Sequence, residues 1–302
     1  MAMELAECKD AGFASVWQPG SVEEAWRLKR SFGENSSYAA GGTLLRMQRH
    51  NGIRPERKHL ISLLGIPELH NLRLSDGAVS IGAGAALNEC RRHPLLKRHG
   101  ELLVTAIDQI AEPAFRHLAT IGGHVSSLVG DAVPALMAMN AQLVIFRGRG
   151  WSRCPILDWI QGKGGAREPG DLLVRVEIPV VSERDTDRAQ EEMFAFYEIV
   201  GRREVFIPSL ETVAAQGKIA EDVRITEPHI LAEGGTALPD RQMEAERTIN
   251  GTTLSDHMLG LIHEAIKGQY MAAENLFAGS AYRKEATANL ISAQLWKMIK
   301  RK

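Results

Sequence analysis

The stretch Ser37-Tyr38-Ala39-Ala40-Gly41-Gly42-Thr43-Leu44-Leu45 leads from an extended segment into a short helix predicted at Leu44–Arg49. A glycine pair at such a junction lets backbone N–H groups point outward, towards an anion. A second run, Ala119-Thr120-Ile121-Gly122-Gly123-His124, has the same character. Either run alone could be a tight turn. Together the two predicted loops could approach one pyrophosphate from two sides, so the residues favour a phosphate-bearing ligand.

The first glycine run lies in a predicted strand–helix–strand unit. Short strands are predicted at Ala14–Gln18 and Ser37–Ala40. Between them, Ser21 and Glu24 form a capping box, the pattern that begins a helix. The pattern changes at His59, so we place the boundary between a first lobe (residues 1–58) and a second lobe (residues 59–182) there.

The remainder of the chain mixes short strands with helices. Ser75-Asp76-Gly77 predicts a hairpin between two of the strands. Strands are predicted at His59–Leu63, Leu69–Leu74, Val79–Gly82, Gln142–Phe146, Asp171–Ile178, Met193–Val200 and Glu211–Ala215, and helices at Leu87–Arg92, Glu101–Ile110, Ala132–Met139, Ser255–Tyr270 and Ala281–Lys300. The polar, charged segment Val181–Arg188 predicts a domain boundary. We therefore expect an α+β protein with a first domain over residues 1–182 and a smaller second domain over residues 189–302.

Composition excludes several classes of function. The 302 residues include 36 Lys and Arg against 37 Asp and Glu, a net charge of −1, which gives no basic footprint for nucleic acid. The most apolar stretch, Ala132–Phe146, is too short to span a bilayer. Glu4 and Glu7 stand where a signal peptide needs an apolar core, so we expect a cytoplasmic protein.

The cysteines do not form a cluster-binding pattern. Cys8, Cys90 and Cys154 lie far apart, and the chain has no CxxC. An iron–sulfur cluster needs about four thiolates at characteristic spacing. We therefore expect no such cluster to be held by this chain alone.

Two motifs are incomplete, and each lacks a residue that its function requires. Gly82-Ala83-Gly84-Ala85-Ala86-Leu87 begins like a dinucleotide fingerprint, but Leu87 replaces the third glycine and the neighbouring strands are predicted to be antiparallel. His263-Glu264-Ala265-Ile266-Lys267 begins like the zinc-protease pattern HExxH, but Lys267 replaces the second histidine ligand. The chain contains neither a P-loop nor a GxSxG motif.

The motifs, in their order along the chain, resemble the flavin subunits of the xanthine dehydrogenase and carbon monoxide dehydrogenase class of molybdenum hydroxylases. The resemblance spans nearly the whole chain and rests on Ala40–Leu45, Leu60–Leu69, Ile81–Ala83, Thr120–His124, Asp131–Leu136, Leu172–Pro179, Gly201–Arg203 and Gly279–Arg283.

The resemblance implies a two-lobed FAD-binding domain of the vanillyl-alcohol-oxidase (PCMH) type, followed by a CO dehydrogenase flavoprotein-like α+β domain. It implies that both glycine loops cradle the FAD pyrophosphate, that Asp131 bonds the adenosine side, and that Ile110 and Leu173 line the flavin. The candidate FAD-binding residues are Ala39, Ala40, Gly41, Gly42, Thr43, Leu44, Leu45, Ile110, Thr120, Ile121, Gly122, Gly123, His124, Asp131 and Leu173. We nominate no catalytic acid or base and no metal ligand.

Four features depart from the family pattern. Leu44 replaces a polar residue, His124 stands where Asn or Asp is usual, and the stretch from His124 to Asp131 is short. Glu198 occupies a position often filled by a Lys that contacts the flavin side. A negative charge there would lower the flavin potential.

The resemblance also implies partners: a subunit with two-iron, two-sulfur clusters and a large molybdopterin-binding subunit, with NAD, a quinone or another compound as electron acceptor. Two other interpretations stay open at this point. The chain could be a stand-alone flavin oxidoreductase of the same fold, or a flavin-free assembly protein.

Overall fold

The computed structural model describes residues 14–53, 57–128, 130–180, 191–201, 209–234 and 238–301. These residues form three β-sheets with helices packed around them. None of the described helices is long and apolar enough to cross a membrane.

The first sheet is small and parallel. It contains β1 (Ser15–Trp17), β2 (Ser36–Ala39) and β3 (His59–Ser62), in the order β1-β3-β2, connected through helices α1 (Val22–Phe32) and α2 (Thr43–His50). The predicted cap of α1 is confirmed, because the Ser21 hydroxyl accepts from the Glu24 N–H at 3.2 Å. The predicted lobe boundary at residue 58 falls within the first sheet, immediately before β3. β3 lies between β1 and β2, so the first sheet is incomplete without the residues that follow the boundary.

The second sheet is antiparallel throughout. It contains β4 (Leu72–Ser75), β5 (Ala78–Gly82), β6 (Gln142–Phe146), β7 (Trp151–Pro155) and β8 (Leu172–Pro179), in the order β4-β5-β8-β6-β7. Asp76 and Gly77 make the predicted hairpin, with φ of 52° and 70°. The antiparallel pairing around Gly82 agrees with the rejection of a dinucleotide-binding fold.

Seven short helices accompany the second sheet: α3 (Leu87–Arg92), α4 (Pro94–His99), α5 (Glu101–Gln109), α6 (Pro113–Leu118), α7 (Ile121–Ser127), α8 (Val133–Ala138) and α9 (Ile156–Gln161). All six residues of α8 are buried, which makes it the central helix of the largest apolar core. The first sheet is joined to the second through a smaller core, where Ile61 packs with Phe146 and Val174.

The third sheet is also antiparallel. Its strands are β9 (Glu191–Val200), β10 (Glu211–Ala220), β11 (Arg224–Glu233), β12 (Asp240–Arg241) and β13 (Thr252–Thr253), accompanied by α10 (Met243–Ile249), α11 (Asp256–Gln269) and α12 (Ser280–Arg301). One face packs on these helices. The other face contributes Tyr197, Ala214 and Leu231 to the core that contains α5 and α8. Residues 183–188, between the two predicted domains, lie outside the described residues.

Candidate functional site

The first glycine run forms the junction between β2 and α2, as predicted. Gly42 adopts the left-handed conformation with φ of 69° and precedes the first turn of α2. Hydrogen bonding into this helix begins when the Arg46 N–H donates to the Gly42 carbonyl at 2.9 Å. Within the described part of the chain, the N–H groups of residues 42–45 donate to no acceptor. They form an open set of donors at the positive end of a helix dipole, which suits a phosphate group.

Gly41 lies where the segment between β2 and α2 closely approaches the end of α6. A Cβ added there would lie 1.7 Å from the Leu118 carbonyl oxygen and 2.6 Å from its carbon. No side chain larger than hydrogen fits, so the backbone of Gly41 rests directly on the residues before Thr120. This contact holds the start of α2 beside the second glycine run.

The second glycine run is not the loop that the sequence predicts. Gly122 and Gly123 lie in the first turn of α7, which Thr120 caps by accepting from the Gly123 N–H at 3.1 Å. The other amides there are also used: Ile121 donates to Ala85 O at 3.0 Å and Gly122 to Ala83 O at 2.9 Å. The expectation that these amides are free donors is therefore wrong, because the Thr120 hydroxyl and the Ala83 and Ala85 carbonyls already accept from them.

Gly122 allows α7 to pack closely on Ala83, and Gly123 leaves the backbone of α7 accessible from outside. A Cβ on Gly122 would lie 2.6 Å from both the Cβ and the carbonyl oxygen of Ala83. Gly123 is exposed and has only the Thr120 hydroxyl near its missing Cβ, at 3.1 Å. A ligand held by α2 could reach the backbone of Gly123 without meeting a side chain.

His124 follows in α7 and faces Gly130. Its Nδ1 is buried and has no hydrogen-bond partner among the described residues, while a Cβ on Gly130 would lie 2.7 Å from it. Burial lowers the pKa of His124 to about 4, so the imidazole is neutral at neutral pH. It can offer one hydrogen bond to a ligand without adding charge.

Asp131 contacts the third sheet. Its Oδ1 accepts from the Ser209 hydroxyl at 3.0 Å, and its main-chain oxygen accepts from the Tyr197 hydroxyl at 2.8 Å. Burial raises the pKa of Asp131, and the Ser209 hydrogen bond opposes that rise. Oδ2 accepts no hydrogen bond from the described residues, so one carboxylate oxygen is left for a ligand.

Ile110 and Leu173 are apolar core residues, 2% and 4% exposed. Both belong to the core around α8, and the Ile110 carbonyl accepts from Arg116 Nη1 at 2.8 Å. Their predicted role in lining a flavin stays a prediction.

Glu198 points to the helical side of the third sheet. It accepts a hydrogen bond from Gln294 on α12, whereas its neighbour Tyr197 faces the core around α8. Neighbouring residues of a strand point to opposite faces, so Glu198 is directed away from the face that packs on α5 and α8. The structure therefore gives no support to a flavin contact at Glu198.

Sequence reasoning missed three contributors to this region. The backbone of Leu118 contacts Gly41, and the backbone of Ala83 contacts Gly122. A pattern of side chains in the sequence does not reveal such backbone contacts. Ser209 lies 78 residues from its partner Asp131. Gly201 is described, but Arg202 and Arg203 of the motif Gly201–Arg203 lie outside the described residues.

Comparison with known proteins identifies the family. Residues 11–181, more than half of the chain, match the model described as "FAD binding domain in molybdopterin dehydrogenase". The chain is 26% identical over 288 residues to the 6-hydroxypseudooxynicotine dehydrogenase complex subunit alpha of Paenarthrobacter nicotinovorans, covering 93% of both chains. It is 28% identical over 197 residues to the nicotinate dehydrogenase FAD-subunit of Eubacterium barkeri, covering 63% of this chain and 64% of that subunit.

Solved structures show the same fold. Carbon monoxide dehydrogenase from Hydrogenophaga pseudoflava aligns with a TM-score of 0.83 at 20% identity, covering 93% of this chain and 95% of the other. Quinoline 2-oxidoreductase from Pseudomonas putida 86 aligns with a TM-score of 0.81 at 18% identity, covering 94% and 96%. The predicted α+β fold class is confirmed. The chain belongs to the family of FAD-binding domains in molybdopterin dehydrogenases, and it is an oxidoreductase component whose cofactor is FAD.

Proposed function

We propose that this chain is the electron-transfer subunit of a molybdenum hydroxylase complex and holds the FAD through which electrons would pass from two-iron, two-sulfur clusters to NAD, a quinone or another acceptor. The proposal depends above all on the open amide N–H groups at the start of α2, held in place by the contact between Gly41 and Leu118. Such donors suit the charged diphosphate of FAD.

The residues of this chain have binding and orienting roles in the proposal, while FAD supplies the redox chemistry when bound. Residues 39–45 hold the diphosphate, and Gly123 leaves access beside it. His124 offers a neutral hydrogen bond and Asp131 a free carboxylate oxygen. Ile110 and Leu173 supply apolar surface for the ring system.

The partners follow from what this chain does not supply. Cys90 is buried and Cys154 half-buried, both are free thiols, and the sequence holds three cysteines in all. Among the described residues, no three His, Cys, Asp or Glu side chains group together to hold a metal ion. We therefore assign the iron–sulfur clusters and the molybdopterin to two other subunits, as the relative named as a complex subunit suggests.

Expression of the chain alone and with its candidate partners tests the proposal. The chain alone should bind one FAD, identified by its absorbance and by mass spectrometry of the released cofactor. A colourless chain that gains no FAD on reconstitution would contradict the flavin assignment. Affinity purification from the native organism should recover iron–sulfur and molybdenum subunits. Turnover of a small substrate by the isolated chain would instead support a stand-alone oxidoreductase.

A further inference from the structure

One acidic residue of the FAD-binding region, Asp131, accepts hydrogen bonds from two side chains on or beside the third sheet, and a third side chain supports one of them. Tyr197 on β9 donates to the Asp131 main-chain oxygen at 2.8 Å, and Ser209 donates to Asp131 Oδ1 at 3.0 Å. The Ser209 hydroxyl also lies 2.8 Å from the Thr212 hydroxyl at the start of β10. The main chain and the carboxylate of Asp131 are thus both fixed by residues 66 or more positions away in the sequence.

The contact is shielded from solvent on the side of the sheet. Tyr197, Ser209 and Thr212 are 3%, 8% and 0% exposed. Hydrogen bonds to a charged group in such surroundings are stronger and more directional than exposed ones. The orientation of the Asp131 carboxylate is therefore set by Ser209, two residues before β10.

Only one of the two carboxylate oxygens is used. Oδ2 has no hydrogen-bond donor among the described residues, although burial disfavours the charge of Asp131. The carboxyl of Glu233 opposes Thr212 across the β10–β11 pair, and burial and the nearby Asp131 raise its pKa well above its ordinary value. Oδ2 is not among the buried unpartnered atoms of the described residues, so it is open to a donor from outside the chain, and a ligand hydroxyl can supply one.

We propose that Ser209 is a positioning residue for the cofactor: it orients the Asp131 carboxylate so that Oδ2 accepts from a hydroxyl of the adenosine ribose of FAD. This inference rests on the proposed function. It adds that FAD affinity depends on a residue outside the matched FAD-binding region of residues 11–181. The dependence applies to the adenosine half of FAD and does not apply to the flavin half.

The test measures dissociation constants of the full-length apo chain for FAD and for FMN, which lacks the adenosine. Ser209→Ala should weaken FAD binding about tenfold. A loss of this size corresponds to the free energy of about one hydrogen bond to a charged group. The variant should leave FMN binding unchanged. Ser209→Thr, which retains the hydroxyl, should restore FAD affinity.

A double-mutant cycle separates positioning from a general structural effect. If Ser209 acts through Asp131, Ser209→Ala should cause no further loss of FAD affinity in an Asp131→Asn background. Ser255→Ala is the matched control, because the Ser255 hydroxyl makes one hydrogen bond, accepting from Met258 N at 3.3 Å, at the distant start of α11. It should leave FAD affinity at the wild-type value.

Three outcomes would overturn the inference: wild-type FAD affinity in Ser209→Ala, an equal loss for FAD and FMN, or the same loss with and without Asp131. Thermal unfolding of each apo variant shows whether the protein that is titrated is folded. Failure of the wild-type chain to bind FAD at all would contradict the proposed function, and it is distinct from these three results.

Discussion

Replacement of Gly41 by alanine should separate β2 and α2 from the start of α7. The added Cβ would lie 1.7 Å from the Leu118 carbonyl oxygen, whereas ordinary contact begins at 3.4 Å, so the two backbones must move apart by about 1.7 Å. Overpacking typically costs about 1–3 kcal/mol, and the obstacle here is main chain that cannot rotate away. We therefore expect a loss of about 3 kcal/mol in the free energy of unfolding. The displaced amides should weaken FAD binding tenfold or more, on the order of one charge-assisted hydrogen bond.

Urea unfolding of the apo chain and fluorescence titration with FAD measure the two effects. Gly42→Ala is the matched control, because Gly42 has φ of 69° but nothing within 4 Å of its missing Cβ. It should cost about 1–2 kcal/mol of stability through backbone strain alone and displace no neighbour. Stability within about 0.5 kcal/mol of wild type for Gly41→Ala, together with unchanged FAD affinity, would refute the role assigned to this contact.

Four further predictions concern stability and its dependence on pH. Burial, with help from Asp131 and Glu211, raises the pKa of Glu233 well above its ordinary value of 4.5, so wild-type stability should fall as pH rises above 4.5. Glu233→Gln should lose that slope in urea unfolding followed across pH and be more stable than wild type at neutral pH. Burial lowers the pKa of His124 from 6.5 to about 4, so stability should also fall as pH drops through that window, and thermal unfolding of His124→Asn should show a flatter acid limb. Arg283 is fully buried and pairs with Glu211 at 2.9 Å. Arg283→Met should leave the buried Glu211 carboxylate with hydrogen bonds from Tyr270 and Thr287 but without its charged partner, and should cost about 3–5 kcal/mol in urea unfolding. Gly260 is exposed within α11 and has nothing within 4 Å of its missing Cβ, so Gly260→Ala should raise the unfolding free energy by up to about 1 kcal/mol, visible as a higher Tm.

Local signals in the sequence predicted local structure well. The Ser21 cap, the Asp76–Gly77 hairpin and the helices at Asp256–Gln269 and Ser280–Arg301 all depend on residues a few positions apart. β11 was missed, because Pro228 lies within it and a proline in a sequence argues against a central strand. The start of β4 was also misplaced, since Pro67–Leu69 forms a turn of 3₁₀-helix.

Long-range pairing explains the larger errors. The placement of β3 between β1 and β2 depends on parallel crossovers, which leave no sign in the His59–Ser62 sequence itself. Gly122 and Gly123 suggested a loop because glycine is a poor helix former. They are helical because Ala83 and Ala85 carbonyls, about 40 residues earlier, accept from that first turn.

In the candidate site, too, local features could be predicted from the sequence and long-range contacts could not. The first glycine run begins a helix, and a helix start leaves its first amides without acceptors in the helix, as those of residues 42–45 are among the described residues. The partners of Asp131 and the direction of Glu198 depend on how the third sheet packs, and nothing near either residue in the sequence encodes that.

The core around α8 includes Tyr197, Ala214 and Leu231 of the third sheet. The two predicted domains therefore share one apolar core and are not independent folding units. A chain cut after residue 180 would leave α5 and α8 with apolar surface facing water, and the separated second half would expose one side of its sheet. The two predicted domains should therefore melt together in a single calorimetric transition. Gene fusions or circular rearrangements that separate them should yield insoluble halves, because neither half can complete its interior alone.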